Sequence, residues 1–251
     1  MRTVLWQYTF SNFNEKARWA LDFKGIPHER RSLMPGGARA MALSLRGTVP
    51  VLDLDGRRIV DTTRIIEALE HLKPEPALYP ADPEQRSRAL ALEDFFDEHA
   101  GHELRRATFH EIRDAPGFTA DLLATGRGGA TRAALRAMLP LAMVYARRRY
   151  RIYPDDAKVA QVKVAAALDR IEAELQPSGY LVGDGFSVAD LTAAALLFPL
   201  ARAPELQYAF PEPLPEPLER WLASLAGHPA VAWIARMYRE HRGSSMQTVS
   251  R

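Results

Sequence analysis

The stretch from Arg46 to Glu70 reads RGTVPVLDLDGRRIVDTTRIIEALE and is the most informative part of the sequence about the fold. Pro50 comes directly before an apolar run, where a loop changes into a strand. Asp55-Gly56 is typical of a hairpin turn between two strands. Asp61 then opens a helix whose free backbone amides and neighbouring hydroxyl groups suit an anion. The stretch therefore predicts a strand, a hairpin, a strand and a helix, with a surface suited to a small anionic, peptide-like ligand.

The composition excludes several classes of protein. The chain has 251 residues, enough for one large domain or two small ones, and its 33 Lys and Arg nearly balance its 31 Asp and Glu. This balance predicts neither a nucleic acid nor a membrane as partner. The basic cluster at 147–149 is typical of a solvated helix end. The absence of cysteine excludes disulfides, thiolate-bound metals and a protein thiol nucleophile, so any reacting sulfur has to arrive on a ligand.

The sequence gives no sign of export or membrane insertion. Its first residues enter a strand at once, which is not typical of a signal peptide. The longest apolar run, Leu191 to Ala201, is too short to span a bilayer. We therefore expect a cytoplasmic protein.

The residues before the opening stretch complete a small α/β domain. Asn12 with Glu15 three residues later resembles a capping box, and Gly25 with Pro27 ends the helix that follows. The predicted elements are a strand at 3–8, a helix at 12–24, a strand at 28–33 and a short helix at 38–45. With the opening stretch, the predicted order is βαβαββα within residues 1–73.

The rest of the chain predicts helices alone. Residues 74–83 are rich in proline and indicate a linker. Ser187 with Asp190 forms a second candidate capping box. Helices are predicted at 86–112, 131–150, 155–176, after 187 and at 218–241, with a loop at 115–130. We therefore expect an all-helical domain at 84–242 and a frayed tail at 243–251.

Three motifs in this order resemble one family. Thr48–Leu52 resembles the cis-proline loop of the thioredoxin-like fold. Asp61–Thr63 resembles the acidic-hydroxyl pair that opens the third helix of soluble glutathione transferases, and Ser187–Asp190 resembles the capping box of their second domain. The resemblance covers most of the chain and is closest to serine-type bacterial members. It implies a thioredoxin-like βαβαββα domain followed by a helical bundle, glutathione as co-substrate without a metal, and a cytoplasmic homodimer.

The resemblance also implies positions for glutathione. A cis bond before Pro50 would turn the Val49 backbone outward to pair with the cysteinyl part. Asp61 and Thr62 would bind the γ-glutamyl end, while a simple N-capping role is compatible with this binding. Arg39 and Arg46 are both candidates for binding the glycyl carboxylate, or are ordinary solvated arginines.

Two residues are candidates for activating the thiol. Ser11 lies five residues before Lys16-Ala-Arg, which matches the spacing in serine-type transferases. The next residue is asparagine, where those families often have proline. Tyr8 is the alternative, at the end of the first strand, where tyrosine-type members have their activating phenol. Each also has a structural interpretation, Ser11 as a helix cap and Tyr8 as a core or subunit-facing aromatic. The lack of cysteine excludes the mixed-disulfide mechanism and favours conjugation or addition.

The first helix of the second domain is expected to face the other substrate. Its candidate lining residues, which are equally typical of a core, are Phe95, Phe96, His99, His102 and Phe109. Arg105 and Arg106 either contact an anionic substrate or pair with Asp97 and Glu98. The histidines lack metal-site spacing. We expect an enzyme that activates glutathione for attack on a small electrophile, as in detoxification. A non-catalytic glutathione or hydrophobic-ligand binding protein and a glutathione-dependent isomerase or lyase are the alternatives.

Overall fold

The computed structural model describes residues 2–34, 38–44 and 47–248. The described strands form one sheet in the order β4-β3-β1-β2-β5. Their bounds are β1 Thr3–Gln7, β2 His28–Ser32, β3 Val51–Leu54, β4 Arg57–Val60 and β5 Gln247–Thr248. β1 runs parallel to β2 and antiparallel to β3, and β3 and β4 form the predicted hairpin.

Alternation along β1 separates the two faces of this sheet. Leu5 joins the core cluster that includes the apolar residues of α1 (Asn12–Phe23) and α3 (Thr62–Leu72). Val4 and Trp6 point to the opposite face and pack with the cluster that includes α2 (Ala38–Leu43). Because successive strand side chains point to opposite faces, the side chains of this one short strand pack against the helices on both faces of the sheet. The predicted βαβαββα order is confirmed.

The second part of the chain is helical. The helices are α4 Pro83–Phe96, α5 His102–Glu111, α6 Pro116–Leu123, α7 Gly129–Arg149, α8 Pro154–Glu174, α9 Val188–Leu196, α10 Phe198–Ala201, α11 Glu216–Leu225 and α12 Pro229–His241. A π-helical turn, Asp97–Gly101, joins α4 to α5. α9 is buried on all sides. The loop predicted at 115–130 is wrong, because Pro116 at the first helical turn and the buried residues Leu122 and Leu123 make α6.

The segment between α3 and α4 is attached to the first part of the chain. The ammonium group of Lys24 donates to the carbonyls of Lys73 and Pro74, both at 2.9 Å. The Leu78 N–H donates to a Glu70 carboxylate oxygen at 2.9 Å, and Leu78 itself is fully buried. The segment is therefore fixed by hydrogen bonds and by an apolar anchor.

Residues 246–248 differ from the frayed tail predicted at 243–251, because they contact the first part of the chain. Arg242 is fully buried, and the Met246 N–H donates to Asp22 at 2.7 Å. Gln247 and Thr248 then pair in parallel with β2. The buried carboxylates of α1 supply the partners, which lie more than two hundred residues away in the sequence. Among the described residues, no helix combines the length and apolar character that crossing a membrane requires.

Candidate active site

Ser11 is the N-cap residue of α1. Its N–H donates to the Tyr8 carbonyl at 3.3 Å, and its carbonyl accepts from the Glu15 N–H at 3.0 Å. Within the described chain its half-buried hydroxyl makes no capping hydrogen bond to the helix. The hydroxyl therefore lies at the positive end of α1 without serving as the cap, and it can donate to a ligand.

The capping box predicted at Asn12 and Glu15 is wrong. The amide of Asn12 donates to the Gly101 carbonyl at 2.9 Å and to the Leu196 carbonyl at 3.1 Å. Glu15 instead pairs with Arg18 at 2.8 Å. Because Asn12 has carbonyl partners in the helical part of the chain, it binds the turn after β1 to that part.

A buried arginine supports the turn that carries Ser11. Arg18 donates to the side-chain oxygen of Gln7 at 2.7 Å and to the Thr9 carbonyl at 3.2 Å. Burial alone would raise the pKa of Glu15, but the guanidinium groups of Arg242 and Arg18 lower it below its ordinary value. An ionised Glu15 therefore keeps Arg18 in place under the turn.

Tyr8 lies immediately after β1, as predicted. Its ring is half-buried and stacks on Phe10 with centroids 5.7 Å apart. It also packs with Val49 against the apolar cluster on the α2 side of the sheet. Tyr8 therefore lies in the same region as Ser11 and the proline loop.

The Val49–Pro50 peptide is cis, as the loop motif predicts. The Val49 carbonyl accepts a long hydrogen bond of 3.4 Å from the buried amide of Asn14. This partner comes from a helix and not from a strand of the sheet. Asn14 belongs to the first turn of α1, so this contact brings the proline loop next to the helix that begins at Ser11.

The start of α3 is capped by Asp61. One carboxylate oxygen of Asp61 accepts from the Thr63 N–H at 3.0 Å and from the Arg64 N–H at 3.4 Å. Asp61 is exposed, whereas Thr62 is buried. The Thr63 hydroxyl donates to Asp97 at 3.2 Å. Asp61 therefore caps α3 with a carboxylate that is exposed at the N-terminal end of the helix.

A buried ion cluster joins α1 and α3 to the helical part. The Lys16 ammonium lies 2.8 Å from a Glu93 oxygen and 2.7 Å from an Asp97 oxygen. Burial raises the pKa of both carboxyl groups above their ordinary values, since one ammonium cannot fully compensate two buried negative charges. Through Asp97, the cluster also contacts the Thr63 hydroxyl at the start of α3.

Of the two arginines predicted to bind the glycyl carboxylate, the structure describes only Arg39. The exposed Arg39 guanidinium lies 4.5 Å from the centroid of the Trp6 ring. Arg46 lies outside the described residues. No sequence pattern predicts a role for Arg127, which donates to the Leu33 carbonyl at 2.5 Å just beyond β2. Only the neighbouring glycines Gly126 and Gly128 hint at a turn there. Arg127 is therefore a further cation close to the end of β2.

The helical wall of the site is formed by α5. The His102 ring lies 4.8 Å from that of Phe13, and the Phe109 ring lies 6.4 Å from that of Phe10. Phe96 is fully buried in the core. Of the predicted lining residues, His102 and Phe109 therefore face the turn that carries Ser11. Phe95 and His99 pack away from this contact, Phe95 against Phe96 and the guanidinium of Arg170, and His99 against Phe95.

Across the described ranges, no three His, Asp or Glu side chains are grouped as metal ligands.

Two family models match this chain. The model of the glutathione S-transferase N-terminal domain matches residues 5–77, and that of the glutathione S-transferase C-terminal domain matches residues 137–229. The chain belongs to the glutathione S-transferase family. The Ser11 turn, the cis-proline loop and the start of α3 all lie within the N-terminal match, whereas the wall formed by α5 lies between the two matches.

Curated glutathione S-transferase relatives match over a limited length. The chain is 34% identical over 93 residues to maleylpyruvate isomerase from Ralstonia sp., covering 35% of this chain and 44% of that protein. It is 33% identical over 86 residues to glutathione S-transferase from Pseudomonas putida, covering 34% of this chain and 39% of that protein. The matches thus span less than half the length of these relatives.

Solved glutathione S-transferases share the fold over nearly the whole chain. The enzyme from Methylobacillus flagellatus KT, solved with GSH bound, has a TM-score of 0.64 and 19% identity, and the alignment covers 96% of each chain. At this identity, the likeness establishes the two-domain fold.

Proposed function

We propose that this chain is a glutathione transferase that binds glutathione beside α1 and uses the Ser11 hydroxyl to favour the thiolate. The proposal rests on one observation above the others: Ser11 is at the N-terminus of α1, yet within the described residues its hydroxyl does not cap the helix. Family membership and the glutathione-bound structural neighbour support the choice of ligand.

The neighbouring groups suit the rest of the tripeptide. The Val49 backbone would pair with the cysteinyl part, and Asp61 would bind the ammonium of the γ-glutamyl end. The first amides of α3, including that of Thr62, would bind its carboxylate. Arg39, Arg46 and Arg127 are the candidate partners of the glycyl carboxylate. No metal takes part in the proposal.

The chemistry follows from the thiol's acidity. A free thiol with a pKa of about 8.5 is only a few per cent ionised at neutral pH. A hydroxyl donor and the positive end of α1 stabilise the anion, and each unit of pKa lowering corresponds to about 1.4 kcal/mol. The thiol proton leaves to water. With an aromatic halide, the thiolate then forms a carbon–sulfur bond, the carbon–halogen bond breaks, and halide leaves with the bonding pair.

An isomerase is the second candidate. The relatives include proteins named maleylpyruvate isomerase and maleylacetoacetate isomerase. In such a reaction, the thiolate adds to a conjugated double bond, rotation follows about the resulting single bond, and the thiolate is expelled again. Catalytic cis–trans conversion of an unsaturated acid with glutathione, followed by proton NMR, would distinguish it from transfer.

The proposal also includes a cytoplasmic homodimer that acts in detoxification. Sedimentation analysis is the test of the dimer.

The activation role predicts a specific loss in Ser11→Ala. With glutathione and 1-chloro-2,4-dinitrobenzene, we expect kcat/KM to fall by about tenfold to a hundredfold, because the thiolate loses its hydrogen-bond donor. Ser11→Thr is the matched control, since it keeps the hydroxyl. The pKa of bound glutathione, titrated by the ultraviolet absorbance of the thiolate, should rise in Ser11→Ala.

Other results would redirect the proposal. Full activity in Ser11→Ala together with a loss in Tyr8→Phe would transfer the role to Tyr8. A bound thiol that titrates at the free value in the unaltered protein would indicate a binding protein without catalysis.

A further inference from the structure

Arg105 lies on the side of α5 that faces the Ser11 turn. Four residues before it, the Gly101 carbonyl accepts from Asn12 at 2.9 Å. Four residues after it, the Phe109 ring contacts Phe10 with centroids 6.4 Å apart. Residues four apart lie on one helix face, so Arg105 is bracketed by two contacts to the segment that contains Ser11.

The guanidinium of Arg105, a half-buried residue, has few partners among the described residues. One of its terminal nitrogens lies 3.2 Å from Nδ1 of His102, and its central carbon lies 4.3 Å from the centroid of the Tyr150 ring. Its Nε is buried and has no hydrogen-bond partner in the described part of the molecule. The carboxylates of Asp97 and Glu98, which the sequence offers as partners, form no ion pair with it across residues 2–34, 38–44 and 47–248.

The adjacent residue, Arg106, has a carboxylate partner, as a half-buried arginine usually does. Arg106 forms an ion pair with Glu103 and donates to the Tyr150 carbonyl at 3.0 Å. Glu103 also pairs with Lys163 at 3.0 Å, so its charge is already shared between two cations. Among the described residues, Arg106 thus has a carboxylate partner in an ion pair, whereas Arg105 has none.

The surroundings of Arg105 favour an anion. Burial and the neighbouring Arg105 guanidinium lower the pKa of His102 to about 4, so this ring is a neutral hydrogen-bond acceptor near pH 7. Arg149 lies 5.7 Å from the centroid of the Tyr150 ring and adds a second positive charge nearby. Burial lowers the pKa of Arg105, but a guanidinium stays protonated at neutral pH. A planar cation with unused donors matches a carboxylate, which accepts two parallel hydrogen bonds.

We propose that Arg105 binds a carboxylate group of the second substrate, beside the electrophilic carbon that the thiolate attacks. The inference rests on the proposed function, and it narrows the substrate class to electrophiles that carry a carboxylate. Arg105 lies outside both segments matched by the family models, at 5–77 and 137–229.

The test compares two activated aromatic halides, one that carries a carboxylate and one that does not. The ratio of kcat/KM for 4-chloro-3,5-dinitrobenzoate to that for 1-chloro-2,4-dinitrobenzene is measured with saturating glutathione. We expect Arg105→Gln to lower this ratio by about tenfold or more, since it removes a charge-assisted hydrogen bond. Arg106→Gln is the matched control: it removes the same charge from the next position, and the ratio should stay within about twofold.

A binding measurement separates this inference from the proposed function. Calorimetry with 3,5-dinitrobenzoate and with neutral 1,3-dinitrobenzene needs no turnover. Preference for the carboxylate in the unaltered protein, lost in Arg105→Gln and kept in Arg106→Gln, supports the subsite even if no thiol transfer occurs. Equal binding of both compounds by the unaltered protein, or equal losses for both in Arg105→Gln, would overturn it.

Discussion

Gly101 brings the helical part of the chain into close contact with the residues that follow Ser11. A Cβ atom at this position would lie 2.7 Å from the Phe13 ring and 3.2 Å from a Leu196 methyl group. The same residue accepts the hydrogen bond of Asn12 and ends the π-helical turn. Irregular π-helical turns are frequent at functional sites, and here the turn places the start of α5 against the first turn of α1.

Gly101→Ala is expected to destabilise the fold. Overpacking by the added methyl group costs about 1 to 3 kcal/mol of the free energy of unfolding. The higher helix propensity of alanine offsets this cost by up to about 1 kcal/mol. We expect a net loss of about 1 kcal/mol in the free energy of unfolding, measured in urea. Gly117→Ala is the control, because a Cβ there meets nothing within 4 Å. Equal stability of both variants would show that Phe13 moves aside without cost.

Among the helices, α9 begins with a turn that a buried carboxylate fixes by hydrogen bonds. The buried Asp190 carboxylate accepts from the Leu181 N–H at 2.8 Å, and from the Ser187 N–H at 2.9 Å and hydroxyl at 2.8 Å. The predicted capping box is therefore confirmed, and it also fixes the loop before the helix. α9 packs against both α1 and α4, so its start influences the contact between the two parts of the chain.

Asp190→Ala should cost about 2 to 4 kcal/mol of unfolding free energy. The substitution leaves buried N–H and O–H donors without acceptors and removes part of the cap. The measurement is urea denaturation followed by circular dichroism. Asp184→Ala is the control, because Asp184 is an exposed residue of the same loop, and we expect a change within about 0.5 kcal/mol. A loss of activity with unchanged stability in Asp190→Ala would instead place Asp190 in the active site.

At the scale of the molecule, a buried ion network joins the two ends of the chain. Arg242 lies 2.6 Å from Glu15 and 2.9 Å from Asp22, and Arg30 lies 2.8 Å from Asp22. Burial raises the pKa values of Glu15 and Asp22, but their arginine partners lower both below the ordinary values. Since Glu15 also pairs with Arg18, the last helix supports the turn that carries Ser11.

Arg242→Gln is expected to lower the free energy of unfolding by about 3 to 5 kcal/mol at pH 7, since it leaves buried carboxylates short of a cation. Carboxylates with lowered folded-state pKa values stabilise the fold above their unfolded pKa values of about 4, and this contribution is lost as the pH falls through the folded values. The deficit of the variant should therefore shrink below about pH 4. Urea titrations at several pH values measure this.

The matched control for this prediction is Arg239→Gln. Arg239 lies on the same helix, and its side chain is 64% exposed, so we expect a change within about 0.5 kcal/mol at every pH. A deficit in Arg242→Gln that stays constant from neutral pH to pH 3 would contradict the proposed role of Glu15 and Asp22.

The local features of this protein follow from its sequence alone. Hydrophobic periodicity, the Asp55-Gly56 turn and the Ser187–Asp190 capping box predict the βαβαββα order, the hairpin and the start of α9. The cis bond at Val49-Pro50 is instead what the resemblance of this loop to the thioredoxin-like fold implies. The element order, the hairpin and the helix start depend on residues a few positions apart, where backbone geometry and turn chemistry act without the rest of the chain.

Which polar side chains contact one another depends on how distant elements pack in the folded protein. Asn12 does not form the predicted capping box and instead donates to the carbonyls of Gly101 and Leu196. Arg242, the last residue of the predicted helical domain, pairs with Glu15 of α1. Arg105 and Arg106 look alike in the sequence, yet only Arg106 has a carboxylate partner in the described structure. The cost of burying a charge depends on the partners and water around it, which elements distant in the sequence bring together.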